Sequence, residues 1–321
     1  MAQALRRVDG SRKMSSGVAV IIPCFNQAIF LNEAIESAFR QTVAPNEIIV
    51  VDDGSTDDSA AIVRAHPSVR YIRQENRGAA AARNAGLRIA ASDFVIFLDA
   101  DDLLLPVAVE AGAADLSAHP DCVMTFGRHG YINMDGRERR PSGDRDVREP
   151  FIAMLQQNFV VALSAATFRR GAIEEIGGFD ESMRNCEDYD LYLRLTRERS
   201  VSRHDAEVAL YRRHDSNKSR DLDRIRRHAI YALDKQLPHV RGDAQQYAAY
   251  LAGKRNCHIW YAKQAAFRAH ALAKKGRRMD AALGLMSAFR NIPLRTMPYV
   301  LSAITAGFLR WRRRVQRQVA P

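Results

Sequence analysis

Phe94-Val95-Ile96-Phe97-Leu98-Asp99-Ala100-Asp101-Asp102 carries an apolar run straight into three carboxylates. A run this apolar, rich in β-branched and aromatic residues, reads as a strand buried on both faces, the pattern of a central parallel strand. The acids then fall where the strand ends, and in open α/β sheets ligands bind outside the carboxyl ends of strands. An Asp-x-Asp cluster there suits a divalent cation. On an extended backbone Asp99 and Asp101 point to the same side. Magnesium and manganese sites in phosphate chemistry commonly use one or two carboxylates plus substrate oxygens. The same residues also fit a solvated acidic loop before a helix, with Asp102 as N-cap and Pro106 in the first turn.

Upstream, strand and helix alternate. Val18–Ile22 is a strand stopped by Pro23. Ala28–Arg40 is a helix whose apolar stripe is Phe30, Leu31, Ala34, Ile35, Ala38 and Phe39. Ile48–Val51 is a second strand, ending in Asp52-Asp53-Gly54. Ser55 or Thr56 is expected to cap the next helix, with Asp57 and Asp58 in its first turn. A short strand at Val69–Ile72 and an alanine-rich helix from Arg77 to Ala90 lead into the opening stretch. This alternation predicts a parallel sheet with right-handed crossovers. Asp53 is then a second strand-end acid on the same rim as Asp99 and Asp101, although Asp-Gly is also a common turn.

Downstream, a helix is expected from Pro106 to His119 and a strand from Cys122 to Phe126. The polar, glycine-bearing Gly127–Asp146 reads as a hairpin and a loop over the site. Glu149–Asn158 reads as helix, and Ala165–Phe168 as short and extended. Gly171–Ile176 is a helical turn closed by Gly177-Gly178. A helix opens at Asn185-Cys186-Glu187-Asp188-Tyr189-Asp190, and a strand at Val208–Arg212 leads to His214.

The charge is uneven. Residues 220–321 hold 21 Lys/Arg against 5 Asp/Glu, whereas 1–219 hold 27 against 32, so the net +11 comes from the C-terminal third. Three parts follow: a polar, basic 1–16 expected to be disordered, a domain at 17–219, and a basic helical region at 220–321. Within the last, Tyr261–Phe289 faintly resembles a tetratricopeptide helix pair turning at Gly276, but a single copy favours a plain helical bundle. Tyr299–Leu309 is apolar and is followed by Arg310 and Arg312-Arg313-Arg314. Residues 297–321 therefore suit an anionic leaflet, or equally a helix packed on the domain with a basic end. No nucleic-acid motif accompanies the basic region. Hydrophobic content of 47% is that of an ordinary globular protein. The cysteines Cys24, Cys122, Cys186 and Cys257 are far apart, which suggests free thiols in a reducing cytoplasm rather than a zinc knot or redox pair. No signal-peptide core or membrane-length apolar run is apparent. A cytoplasmic protein is expected, peripheral at the inner membrane face if the tail binds lipid.

Taken in order, these motifs resemble the family 2 glycosyltransferases. They are Val20-Ile21-Ile22-Pro23-Cys24-Phe25-Asn26, Glu47-Ile48-Ile49-Val50-Val51-Asp52-Asp53-Gly54-Ser55-Thr56-Asp57, and Asn76-Arg77-Gly78 with Ala82-Arg83-Asn84-Ala85-Gly86. Phe97–Asp102, Gly177-Gly178-Phe179-Asp180-Glu181, Glu187–Leu191 and Tyr211-Arg212-x-His214 complete the set. The resemblance covers about residues 17–219. It implies a GT-A fold, a Rossmann-like, mostly parallel sheet flanked by helices and here followed by a C-terminal helical extension. It also implies inverting transfer from a nucleoside-diphosphate sugar with magnesium or manganese. By resemblance, Pro23, Phe25 and Asn26 form the base-binding turn, and Asp53 accepts a hydrogen bond from a pyrimidine base such as uracil or thymine. Arg83 meets the diphosphate, Asp99 lies on the ribose side, Asp101 is the metal ligand and Asp188 the general base. His214 is placed like a late histidine near the metal or phosphate, a position a structural histidine fills equally well. Bacterial surface polysaccharide or glycolipid assembly is the common setting, with a saccharide or lipid-linked saccharide as acceptor.

Each group answers a chemical need. A cation offsets charge growing on the leaving diphosphate, and a carboxylate on the opposite face takes the acceptor proton. A nucleotidyltransferase that makes nucleotide sugars would share the sheet, but it needs a glycine-rich basic loop where Pro23-Cys24-Phe25-Asn26-Gln27 stands. A non-catalytic donor-binding scaffold is the other alternative, and intact Asp101 and Asp188 speak against it. Nothing in the residues fixes the sugar, the acceptor or the oligomeric state.

Overall fold

The computed structural model describes residues 17–133, 136–138, 148–214, 221–290, 292–302 and 304–305. The expectations for 1–16, for most of the loop up to Asp146 and for the basic end of the tail lie outside these residues.

Parallel strands β1 (Val18–Cys24), β2 (Glu47–Asp52), β3 (Arg70–Arg73) and β4 (Phe94–Phe97) alternate with helices α1 (Ala28–Phe39), α2 (Ser59–Arg64) and α3 (Ala79–Ile89). Beyond β4 come β5 (Leu103–Leu104), α4 (Ala108–Ala118), β6 (Cys122–Asn133), β7 (Gly136–Glu138), α5 (Pro150–Gln156) and β8 (Ala166–Arg169). They are followed by α6 (Arg170–Glu175), α7 (Glu187–Leu195) and β9 (Ser200–Arg213). The sheet runs β3-β2-β1-β4-β8-β6-β9-β5, with β7 on β6. It is parallel from β3 to β4. It then turns mixed, because β8 runs antiparallel to both β4 and β6 while β6 and β9 are parallel to each other. The stretch at Phe94 is therefore the seam of the sheet, with β1 on one side and β8 on the other.

Strand alternation sorts the core into two layers. Ala19, Ile21, Ile49, Val51, Val95 and Phe97 pack with the helices α3, α5 and α7. Val18, Val20, Ile22, Val50, Ile96 and Leu98 pack with α1 and α4. The first layer does not stop at residue 219. Helices α8 (Leu222–Asp234), α9 (Leu237–Val240) and α10 (Ala244–Lys274) add Ala229, Ala232, Leu233, Val240, Ala249 and Tyr250 to it. Lys235, which caps the end of α8, pairs with Asp180 and Asp190, both at 2.6 Å. α11 (Arg278–Arg290) turns back on α10 through Gly276, whose φ is +80°. The helical character expected beyond 220 is present, but the charge boundary there is not a packing boundary.

Three local expectations change. Asp102 is not a helix cap: Leu103–Leu104 pairs with β9, and α4 starts later, after Val107. α2 is preceded by Asp58, and Asp57 accepts from the Ser59 and Ala28 amides instead of sitting inside the first turn. β6 runs to Asn133, well past Phe126, because Gly127 marks a strand irregularity and not a loop. A Cβ at Gly127 would come within 2.5 Å of His204 and 2.7 Å of the Ala206 carbonyl, so only glycine lets β9 approach there.

Candidate active site

The carboxyl ends of β1, β2 and β4 open on one rim. β1 ends in Phe25, 43% exposed, and in Asn26, whose φ of +52° is unusual for a residue with a side chain. Asn26 is held in this conformation by three bonds. Its side-chain Oδ1 accepts from the Thr56 amide at 2.8 Å and the Thr56 hydroxyl at 3.3 Å, and its backbone amide donates to the Ser55 hydroxyl at 3.0 Å. Pro23 lies in β1 opposite Val51 and is half-buried.

At the end of β2, Asp53 is only 3% exposed. Its carboxylate accepts from Gln74 Nε2 at 2.7 Å, the Arg77 amide at 2.9 Å and the Gly78 amide at 2.7 Å. Asp53 thus fixes the loop that starts α3. Gly78 at φ +94° lets that loop turn both amides toward it. Asp52 points the other way and accepts from the Ser55 amide and the Tyr71 hydroxyl. Burial first, and then that bond, push the Tyr71 phenol up to about 12.

The residues after β4 form a turn, closed by the Asp102 amide donating to the Asp99 carbonyl at 2.9 Å. The turn sends the three carboxylates to different partners. Asp99 meets Arg83 Nη2 at 2.6 Å, and Asp101 meets His214 Nε2 at 2.9 Å. Asp102 is buried and accepts from the Arg212 amide at 2.9 Å. Burial and the neighbouring acids raise the proton affinity of Asp101, and His214 partly opposes this. The affinity of Asp102 is raised further, again by burial first. His214 arrives from the end of β9 and lies tilted against Phe30 of α1, with ring centroids 4.8 Å apart. Arg212 braces it, reaching the Asp101 carbonyl at 2.8 Å and Glu33 at 2.7 Å.

Among the described residues, no three His, Cys, Asp or Glu side chains converge into a cage for an ion. Asp101 and His214 are nevertheless adjacent, with Asp99 and Asp102 close by. A carboxylate and an imidazole beside a diphosphate are a reasonable donor set for magnesium or manganese. The residues present fit such an ion.

α7 brings the remaining acid. Its N-cap, Cys186, is left-handed at φ +58°, and Glu187, Asp188 and Asp190 occupy its first turn. Glu187 takes the other arm of Arg83, with Nη1 at 2.7 Å. Asp188 accepts from the Tyr189 amide at 2.7 Å. Burial first, then Glu187, and to a lesser extent Asp99, push its carboxyl up to about 7 against the pull of Arg83. Arg83, 5% exposed, thus stands between the strand-end acids and the helix-start acids.

All the sequence-derived site residues except Pro23 and Asp53 present groups to this rim. Asp53 shapes its wall from beneath. Arg83, expected at a diphosphate, is committed to two carboxylates. Asp102, Glu187 and Arg212 belong to the site but were not singled out. Arg212 sits inside a quoted motif, and Glu187 is adjacent to the base candidate.

The sheet and its flanking helices have the GT-A architecture. The sequence model of Glycosyl transferase family 2 matches residues 19–177, and this part of the chain belongs to that family. Among relatives, a chondroitin synthase of Escherichia coli is 34% identical over 190 residues, 56% of this chain and 26% of that protein. A hyaluronan synthase of Pasteurella multocida is 30% identical over 188 residues, 56% of this chain and 18% of that protein. The chain therefore spans about a quarter or less of these relatives. Among solved structures, S. aureus TarS 1-349, also solved with UDP-GlcNAc, superposes with a TM-score of 0.61 at 18% identity, covering 90% of this chain and 88% of that one. The mannosyltransferase PcManGT of Pyrobaculum calidifontis, solved with GDP-Man and Mn2+, gives 0.57 at 20% identity, covering 92% and 89%. Both likenesses extend through the C-terminal helices.

Proposed function

We propose that this chain is an inverting glycosyltransferase that moves a sugar from a nucleoside diphosphate to an acceptor hydroxyl. The observation that carries the reading is Arg83 bridging Asp99 and Glu187, which holds the acid turn and the first turn of α7 across one pocket. Phe25 and Asn26 form one wall for the base, over the loop that Asp53 fixes. The remaining lone pairs of Asp53 accept from a pyrimidine base, which makes UDP- or dTDP-sugars the favoured donors. TarS bound to UDP-GlcNAc supports this choice, and GDP-Man in PcManGT is the competing one. Asp99 faces the ribose.

Asp188 takes the proton of the acceptor hydroxyl. The acceptor oxygen then bonds to the anomeric carbon as the bond from that carbon to the β-phosphate oxygen breaks. The electron pair leaves with the nucleoside diphosphate, and attack from the opposite face inverts the centre. A carboxyl pushed up to about 7 suits a general base near neutrality. Asp101 and His214 would hold magnesium or manganese, which supplies positive charge beside the leaving diphosphate. Arg83 is held by Asp99 and Glu187 on the side where the diphosphate is expected.

Relatives that build chondroitin and hyaluronan support polysaccharide or glycolipid assembly as the setting. No helix among the described residues is long and apolar enough to cross a membrane. Peripheral contact with an anionic leaflet is supported by one face of α11, where Met279, Leu283 and Met286 are 73%, 57% and 69% exposed beside Arg278 and Arg290. Nucleotide release from a panel of nucleotide sugars with manganese tests the core reading. Asp101→Asn is expected to abolish metal-dependent release, whereas Asp188→Asn is expected to keep UDP binding and lose turnover. Flotation with phosphatidylglycerol vesicles tests the tail. Equal recovery without residues 297–321 and with Met279→Glu removes the membrane contact.

A further inference from the structure

Arg83 leaves α3 and reaches two acids on two other elements, Asp99 after β4 and Glu187 at the start of α7, at 2.6 and 2.7 Å. The guanidinium lies over the Phe179 ring at 5.4 Å, which fixes its plane. Its Nε is buried and has no partner among the described residues, so the two Nη groups carry all its bonding. A planar fork can join two carboxylates at fixed separation, where a lysine ammonium would act as a single point. Asp188 is next to Glu187 and makes no bond to Arg83. The nearer acid, Glu187, has taken the arm that would otherwise fall on the base.

We propose that Glu187 is a positioning residue: through the buried Arg83 it ties the helix carrying Asp188 to the donor-side acid Asp99, and it keeps the guanidinium off Asp188 so that the base retains its affinity for a proton. This rests on Asp188 being the base. The charged groups facing Asp188 act in opposite directions, the acids against the guanidinium. Glu187, within α7, and Asp99, from the end of β4, raise its proton affinity, and Arg83 from α3 lowers it. Cys186 before α7, Tyr192 of α7 and Tyr261 of α10 also lie within electrostatic reach, and each holds its own proton more tightly, through burial first and then with help from Asp188. On α8, His228 faces Glu187 and is itself opposed by Arg224 and Arg227. Without the Glu187 charge, Arg83 is free to turn on Asp188, so both changes push the base toward weaker proton binding.

The test is Glu187→Gln in the full chain, read with the nucleotide sugar of the panel that releases UDP fastest in manganese. The expected result is a kcat at least tenfold lower, a UDP affinity within about twofold, and an acidic limb of the pH–rate profile moved toward acid by about one pH unit. A purely structural role would lower the melting temperature without moving the limb. A folded Glu187→Gln protein whose limb stays in place overturns the proposal, whatever its rate. If that variant does not fold, Arg83→Lys is read instead, because a point charge cannot hold both acids; it is expected to lower kcat with the limb displaced, and an unchanged profile overturns the proposal. Wild-type turnover by Asp188→Asn would instead overturn the assignment of the base, a separate failure.

Discussion

Gly253 of α10 lies against the carbonyl of Leu155 at the end of α5, so closely that a Cβ there would stand 1.9 Å from the oxygen. The contact joins the C-terminal helices to the sheet-covering layer. Gly253→Ala is therefore expected to cost about 1–3 kcal/mol, because backbone on both sides has to move. Gly284→Ala, where a Cβ would meet nothing within 4 Å, is the control and is expected to stabilise slightly. Urea unfolding of both variants decides. Equal stability for Gly253→Ala would mean that the helices beyond 220 are loosely attached.

The carboxyl of Asp188, pushed up to about 7 by burial and then by Glu187, sets an acidic limb. Below pH 6 kcat is expected to fall about tenfold per pH unit, as the base is progressively protonated. A profile flat from pH 5 to 8 would assign proton removal to another group.

The same shift makes a stability prediction with a definite sign. Asp188 binds its proton more tightly folded than unfolded, where its value is near 3.8. Wild-type stability is therefore lost as pH rises from about 4 through about 7, and stays lost above. Asp188→Asn removes that loss. It is expected to match wild type near pH 4 and to be more stable by on the order of 2 kcal/mol at pH 8. Thermal melts at the two pH values check this, and destabilisation at pH 8 would contradict it.

Arg83→Met leaves Glu187 and Asp99 without their shared cation. Breaking a buried pair by removing one partner is expected to cost about 3 kcal/mol. Chemical denaturation measures it, and a cost below about 1 kcal/mol would show that water compensates the two acids.

Much of this arrangement can be read from local sequence. The apolar runs ending in Asp52-Asp53 and in Asp99-Ala100-Asp101-Asp102 place the rim, because strand burial and strand-end polarity are local properties. What sequence hides is pairing over long distances. The antiparallel insertion of β8, the continuation of β6 through Gly127 and the shared core of Ala232 and Tyr250 depend on which surfaces meet in space. The site shows the same division. Asp188 is visible as a helix-start acid, but the partner of Arg83 is not, since Glu187 is 104 residues away. Asp53 is visible as a strand-end acid, but the three donors it serves from the loop after β3 are not.

The pairing of Asp101 with His214 spans 113 residues. On a growing chain, the half that shapes the nucleotide wall emerges long before β9 delivers its histidine, so this corner closes only after β9 has been made. Contacts this distant in sequence form late and slowly. On the proposed function, a truncated product that ends before β9 would lack the Asp101–His214 pair and would be folded in part but chemically silent.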